Sequence, residues 1–89
     1  MKYYYKFKDL KFKPHVIGNG VQARFHFDNN YGVSVVKFNG SYGGSSGLYE
    51  LAVLYKGDID YSTSITDDVI GWLKPEEVSK LMRKIQNLE

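Results

Sequence analysis

Hydrophobic and polar residues alternate along much of the first two thirds of the chain, which is the pattern of strands with one buried face. The alternation is cleanest over 21–28, and a run rich in β-branched residues follows over 32–38. Between them, the sequence Asp-Asn-Asn-Tyr-Gly contains residue types that tolerate positive φ. The two runs therefore predict a β-hairpin.

Residues 48–55 are apolar at both odd and even positions, with the exception of Glu50. This pattern predicts a central strand that is covered on at least one face. We expect Glu50 either to pair with a neighbour such as Arg24 or to face a pocket, because an unpaired buried charge is costly. The turn residues at 56–58 then lead into a last strand predicted over 59–62.

The start of the chain also alternates, but its phase changes at Asp9. This predicts either two short strands or one bulged strand that ends near Pro14.

Two helices are predicted at the C-terminal end. Thr66 can cap a short helix over 67–73, and two aspartates occupy its first turn. Pro75 suits the first position of a longer helix. The apolar residues of this longer helix recur at helical spacing, namely Val78, Leu81, Met82, Ile85 and Leu88.

These elements predict a single α+β domain over residues 1–89. We expect an antiparallel meander of four to five strands, with the short and the longer C-terminal helix packed on one face. A chain of 89 residues leaves no room for a second domain. The absence of cysteine excludes disulfides and suits a reducing compartment. No apolar run is long enough to span a bilayer, so a cytoplasmic location is expected.

Little in the chain suggests catalysis or metal binding. Its two histidines, His15 and His26, have no carboxylates at the spacing of a metal site. Asp58 and Asp60 lack the glycine and the terminal glutamate of a calcium loop, and they are interpreted as turn residues. We therefore expect no enzyme activity, no metal and no cofactor.

The segment 39–47 is rich in glycine and serine, with Tyr42 in its middle. It can be a mobile connection, or a recognition loop in which a tyrosine supplies contact area at low entropic cost. A third possibility is an anion cradle built from the backbone N–H groups of its glycines, with Arg24 or Lys37 supplying charge.

Charge is distributed unevenly along the chain. Residues 1–24 carry six basic side chains and one acidic, whereas 47–77 carry seven acidic and two basic. The two halves can simply lie side by side in the fold. Alternatively, the basic and aromatic start, which includes Lys6 and Lys8, can bind single-stranded nucleic acid. Lysines are also common on ordinary edge strands, where they prevent pairing with another chain.

Four stretches resemble short, largely uncharacterised proteins encoded by bacteriophages and prophages. They are Phe-Asp-Asn-Asn-Tyr-Gly-Val-Ser-Val-Val (27–36), Ser-Tyr-Gly-Gly (41–44), Gly-Leu-Tyr-Glu-Leu-Ala-Val-Leu (47–54) and Ile-Thr-Asp-Asp-Val-Ile-Gly (65–71). The resemblance spans roughly residues 20–88. It implies a phage accessory protein acting in the host cytoplasm by binding, for example as an inhibitor of CRISPR or another bacterial defence.

The leading hypothesis is therefore a non-enzymatic protein that occludes a host protein, with a defence component as the expected partner. The chain contains eight tyrosines, a residue type favoured at protein interfaces. The predicted binding surface consists of Tyr31, Tyr42, Gly43, Gly44 and Tyr49, together with the basic residues Lys6, Lys8 and Arg24. The alternatives are a nucleotide or small-anion binder acting through 39–47 and a single-strand nucleic-acid binder.

Overall fold

The computed structural model describes residues 3–14, 20–63, 65 and 69–89. The strands are β1 (Lys13–Pro14), β2 (Val21–His26), β3 (Tyr31–Lys37), β4 (Tyr49–Tyr55), β5 (Asp58–Ile59) and β6 (Ile70–Leu73), and they precede the helix α1 (Pro75–Gln86). Short 3₁₀ turns occupy Phe7–Asp9 and Gly44–Ser46. An antiparallel sheet with a C-terminal helix confirms the α+β class.

The sheet is a meander in the order β1-β2-β3-β4-β5. Strand β6 also pairs with β4, on the edge that β5 occupies in part. The predicted hairpin is confirmed as β2 and β3, with Asn30 at a φ of 72° in its turn. The central position of β4 is also confirmed. Its first half pairs with β6 and its last two residues pair with β5.

The main core lies between the sheet and α1. Val33, Val35, Leu51 and Val53 are almost fully buried on the helix side of the sheet. The apolar stripe of α1 packs on them as predicted, with Val78, Met82 and Ile85 buried and Leu81 and Leu88 partly buried. Pro75 occupies the first turn, and the side chain of Glu77 accepts a hydrogen bond from the N–H of Lys74 at 2.9 Å. The longer predicted helix is thus present.

The predicted N-terminal strands are wrong for residues 3–12, which form extended chain around a 3₁₀ turn. The reason is that α1 supplies hydrogen-bond partners that the local pattern does not reveal. The N–H of Tyr5 donates to Gln86 Oε1 at 3.1 Å, and the N–H of Phe7 donates to Ser79 Oγ at 2.9 Å. The segment therefore lies against the helix, and Pro14 sits within the edge strand β1, where a missing N–H is tolerated.

The predicted helix over 67–73 is also wrong, because residues 70–73 form strand β6; residues 66–68 lie outside the described part of the chain. Since β5 covers only the end of β4, the remaining backbone of β4 is open to a further strand. Ile70 is β-branched and Gly71 is a poor helix former, so pairing prevails there. The last predicted strand shrinks to Asp58–Ile59. The described residues thus contain six strands and one α-helix instead of four to five strands and two helices.

The N-terminal 3₁₀ turn is closed by the side chain of Asp9. Its Oδ2 accepts hydrogen bonds from the N–H of Lys6 at 2.9 Å and from the hydroxyl of Tyr3 at 3.0 Å. The bond from the Lys6 backbone, supported by the one from Tyr3, holds the pKa of Asp9 below its usual value. The stabilisation of this turn is therefore present above the usual aspartate pKa and is lost as the pH falls through the lowered value.

We expect Tyr3→Phe to raise the pKa of Asp9 only part of the way to its usual value. The variant removes the hydroxyl, whereas the backbone bond from Lys6, the larger cause, remains. Carboxyl chemical shifts followed during an acid titration of both proteins measure this. A wild-type Asp9 that titrates at the usual aspartate pKa would show that the turn does not form in solution.

Candidate functional site

The glycine and serine segment 39–47 is folded onto itself by its own hydrogen bonds. Ser41 is buried, and its hydroxyl donates to the carbonyl of Phe38 at 2.8 Å while accepting from the Phe38 N–H at 3.0 Å. The N–H groups of Ser41, Gly44, Ser46 and Gly47 all donate to carbonyls within 38–44. These amides are therefore already engaged and are not free to cradle an anion.

Tyr42 and Trp72 are both exposed and are neighbours through their backbones, and we call them the aromatic pair. Tyr42 is 63% exposed and Trp72 is 60% exposed. The N–H of Trp72 donates to the carbonyl of Tyr42 at 3.1 Å, which joins β6 to the loop. A Cβ added at Gly71 would overlap the Cβ of Tyr42, so only a glycine permits this approach.

Two further residues hold the loop beside β6. Oε1 of Glu50 accepts a hydrogen bond from the N–H of Tyr42 at 3.2 Å. Glu50 therefore binds the loop backbone instead of the alternative partner Arg24. Gly43 adopts a φ of 87°, and a Cβ there would come within 2.9 Å of the Cα of Trp72. Gly43 thus allows the close contact that keeps the aromatic pair together.

Trp72 has a left-handed backbone conformation, with a φ of 59°. Such a conformation costs a non-glycine residue on the order of 1 to 3 kcal/mol, and strained residues of this kind cluster at functional sites. Most of the indole is in solvent, so burial of the ring offsets little of that cost. Trp72 is thus a large aromatic residue in a strained and exposed position, at the place where the register between β4 and β6 shifts.

The other two predicted tyrosines, Tyr31 and Tyr49, are far apart on the sheet and each contacts other aromatic rings. Tyr31 lies opposite Tyr55, with ring centroids 4.8 Å apart. Tyr49 is half-buried between Phe7 and Phe12, with centroid distances of 5.0 and 5.5 Å. Since six residues separate Tyr49 from Tyr55 along β4, Tyr31 and Tyr49 are about 20 Å apart along the strand. Tyr31 and Tyr49 therefore lie near opposite ends of β4.

The predicted basic residues also lie apart from one another. Lys6 lines a small pocket with Lys80 and Arg83 on the outside of α1. Lys8 is exposed on the 3₁₀ turn. Arg24 lies on the face of the sheet opposite α1, where it lines a groove with Lys11 and Lys13.

The aromatic residues of the N-terminal segment are engaged in the protein itself. Tyr5 and Phe7 pack against the main core. The guanidinium of Arg83 lies 4.3 Å from the ring centroid of Tyr4, whose hydroxyl donates to Asn87 Oδ1 at 3.0 Å. Base stacking on these rings would have to displace those contacts, which weakens the basis for the nucleic-acid hypothesis as the sequence suggested it.

Trp72 is the residue that sequence reasoning missed. The pattern of 67–73 predicts a helix, and a helix there gives no basis for expecting contact between Trp72 and Tyr42. The available signal was the isolated, large aromatic residue in a short segment that contains Gly71, since tryptophan is enriched at interfaces.

Within the described ranges, no three His, Asp or Glu side chains are grouped so that they could hold a metal ion. His26 is exposed on β2. In the same part of the chain, no helix is long and apolar enough to cross a membrane.

Comparison with known proteins gives no match: no family model, no curated protein and no solved structure is significantly similar to the chain.

Proposed function

We propose that the chain is a non-enzymatic protein-binding module and that the aromatic pair, Tyr42 and Trp72, is the centre of its binding surface. The observation that supports this is the exposure of both rings, 63% and 60%, on adjacent backbone segments joined by a hydrogen bond. Tryptophan and tyrosine dominate the energetic hot spots of protein interfaces. Two such rings in contact with water are an unfavourable arrangement that a partner would relieve.

The backbone around the aromatic pair is suited to binding without large rearrangement. The loop is closed by hydrogen bonds from Phe38 to Leu48, and Glu50 holds the N–H of Tyr42. Less conformational entropy is then lost on association, which increases affinity for a given contact area. Ser45 and Ser46 are exposed in the same loop as Tyr42 and can serve as polar residues at the rim.

The partner we propose is a host protein, and specifically a component of a bacterial defence system such as CRISPR, which the chain would inhibit by covering a surface. This part of the proposal depends on the resemblance of the sequence to phage-encoded accessory proteins. It assigns the protein to the host cytoplasm and requires no cofactor.

The test begins with capture of the partner from lysate of a bacterial host and continues with affinity measurements on the purified complex. We expect Tyr42→Ala and Trp72→Ala each to weaken binding by about 30-fold or more, which is the effect of a hot-spot residue of about 2 kcal/mol. Tyr61→Ala is the matched control, because Tyr61 is also exposed, at 50%, and directly follows Asp60, which is bonded to Val53 in the second half of β4, whereas Tyr42 is bonded to Glu50 in the first half. Its affinity should stay within twofold of the wild type.

Trp72→Gly separates binding from folding. Glycine adopts a φ of 59° without strain, so relief of strain offsets the added flexibility of the unfolded chain. The free energy of unfolding should change by no more than about 1 kcal/mol, while binding is lost. The proposal fails if no specific protein is captured, or if the affinities of the Trp72 variants and of Tyr61→Ala are alike.

A further inference from the structure

A groove of about 460 Å³ lies at the β1 edge of the sheet, and it is lined by Lys11, Lys13, Pro14, Gln22 and Arg24. We infer that this groove, the basic groove, binds a ligand that carries two or more adjacent phosphate groups. The inference is independent of the protein-binding function, because the groove contains neither member of the aromatic pair.

The strand register explains why the three cations converge. β1 pairs antiparallel with β2, with Lys13 opposite Gln22 and Pro14 opposite Val21. Lys11 lies two residues before β1 in extended chain and lines the same groove as Lys13 and Arg24, as expected for residues two apart, which share a face. Because Lys13 lies opposite Gln22, it is a diagonal neighbour of Arg24. The Cα atoms of diagonal neighbours are about 7 to 8 Å apart. Three positive charges thus lie on one small patch.

Within the part of the chain that the structure describes, Lys11, Lys13 and Arg24 make no salt bridge with a carboxylate. On the same face, Glu50 is two strands away from Gln22, about 10 Å at the spacing of a sheet, and its Oε1 is already bound to the Tyr42 N–H. Asp28 lies four residues beyond Arg24, about 13 Å along the strand.

Like charges that face each other across a strand pair destabilise it. Lys11, Lys13 and Arg24 line one groove at the edge of the sheet, where β1 is only two residues long, so their like charges repel one another there. An anion between them would replace repulsion with attraction. The groove is therefore expected to be most stable when it is occupied.

The side chains specify the chemistry of that anion. The guanidinium of Arg24 can bind two oxygens of one phosphate in parallel, and the lysines act as point charges for a second one. The amide Nε2 of Gln22 donates to Ser34 Oγ at 3.1 Å, so the floor of the groove is polar and uncharged. No aromatic residue of the described chain lines the groove. Recognition should therefore depend on phosphate charge and not on the identity of a base.

The probe is inorganic tripolyphosphate, titrated into the full chain by calorimetry at constant ionic strength, with orthophosphate as the single-phosphate comparison. We expect saturable binding of tripolyphosphate that is at least tenfold tighter than that of orthophosphate. Arg24→Gln and Lys13→Gln should each weaken it at least fivefold. Lys84→Gln, which removes the same charge from the outer surface of α1, should change it less than twofold. All three side chains are exposed, so folding should be preserved, and circular dichroism checks this.

ATP, GTP and a short oligothymidylate distinguish the sources of the phosphates. Equal binding of ATP and GTP with no competition by oligothymidylate indicates a free polyphosphate or nucleotide. Competition by oligothymidylate indicates a nucleic-acid backbone, and both results support the inference. Absence of tripolyphosphate binding would overturn it, as would an equal loss in Lys84→Gln, because that result would reflect net charge alone.

Discussion

Replacing Asn29 by aspartate is expected to lower the free energy of unfolding by about 3 kcal/mol. The side-chain Nδ2 of Asn29 donates to three carbonyls at the end of α1, those of Ile85, Gln86 and Leu88, at 2.9 to 3.1 Å. A carboxylate cannot donate, and it would place a negative charge against carbonyl oxygens at the negative end of the helix dipole. Urea denaturation of the two proteins measures the difference.

The neighbouring Asn30→Asp is the matched control for this change. It is chemically identical, but Asn30 is exposed and donates to none of those carbonyls. Its φ of 72° is tolerated by aspartate about as well as by asparagine. We expect a loss below about 0.5 kcal/mol, as for surface substitutions in general. Equal losses in the two variants would mean that Asn29 does not tie the hairpin turn to α1.

Gly44→Ala is expected to cost about 3 kcal/mol of stability and to abolish partner binding as well. A Cβ at Gly44 would overlap both the carbonyl oxygen of Phe38 and the buried Oγ of Ser41. Backbone and a buried hydroxyl cannot move aside as the end of a flexible side chain can. The loop must therefore open, and Tyr42 then leaves Trp72.

Gly40→Ala is the control in the same loop. Its nearest contact would be the ring edge of Phe38 at 3.0 Å, which can yield by a small rotation. Thermal unfolding and affinity for the captured partner should both remain near wild type. If Gly44→Ala is as stable as Gly40→Ala, the hydrogen-bonded form of the loop is not the one present in solution.

The parts of the fold that follow from local patterns could be predicted. The hairpin of β2 and β3 combines alternation with residues that tolerate positive φ, and α1 has both an apolar stripe and start signals. The N-terminal segment could not be predicted in this way. Its alternating residues resemble a strand, but the partners of its backbone are the side chains of Ser79 and Gln86, more than 70 residues away.

In the candidate site, too, some residues could be predicted from local sequence and others depend on strand pairing. Tyr42 could be selected from the composition of its loop, because tyrosine among glycines and serines is typical of recognition loops. Trp72 could not, since its place beside Tyr42 depends on β6 joining the open edge of β4. The sequence predicts Arg24 as a binding residue, but its grouping with Lys11 and Lys13 depends on the pairing of β1 with β2.

The sequence by itself determined the class of fold, the central strand, the first hairpin and the last helix, because each depends on periodicity, turn residues or caps within a short segment. Only the tertiary structure decided that 70–73 is a strand, that the aromatic pair forms and that three cations share one groove. Those features depend on which backbone edges remain open after the sheet has assembled. A local sequence pattern carries no information about which strand edges remain open.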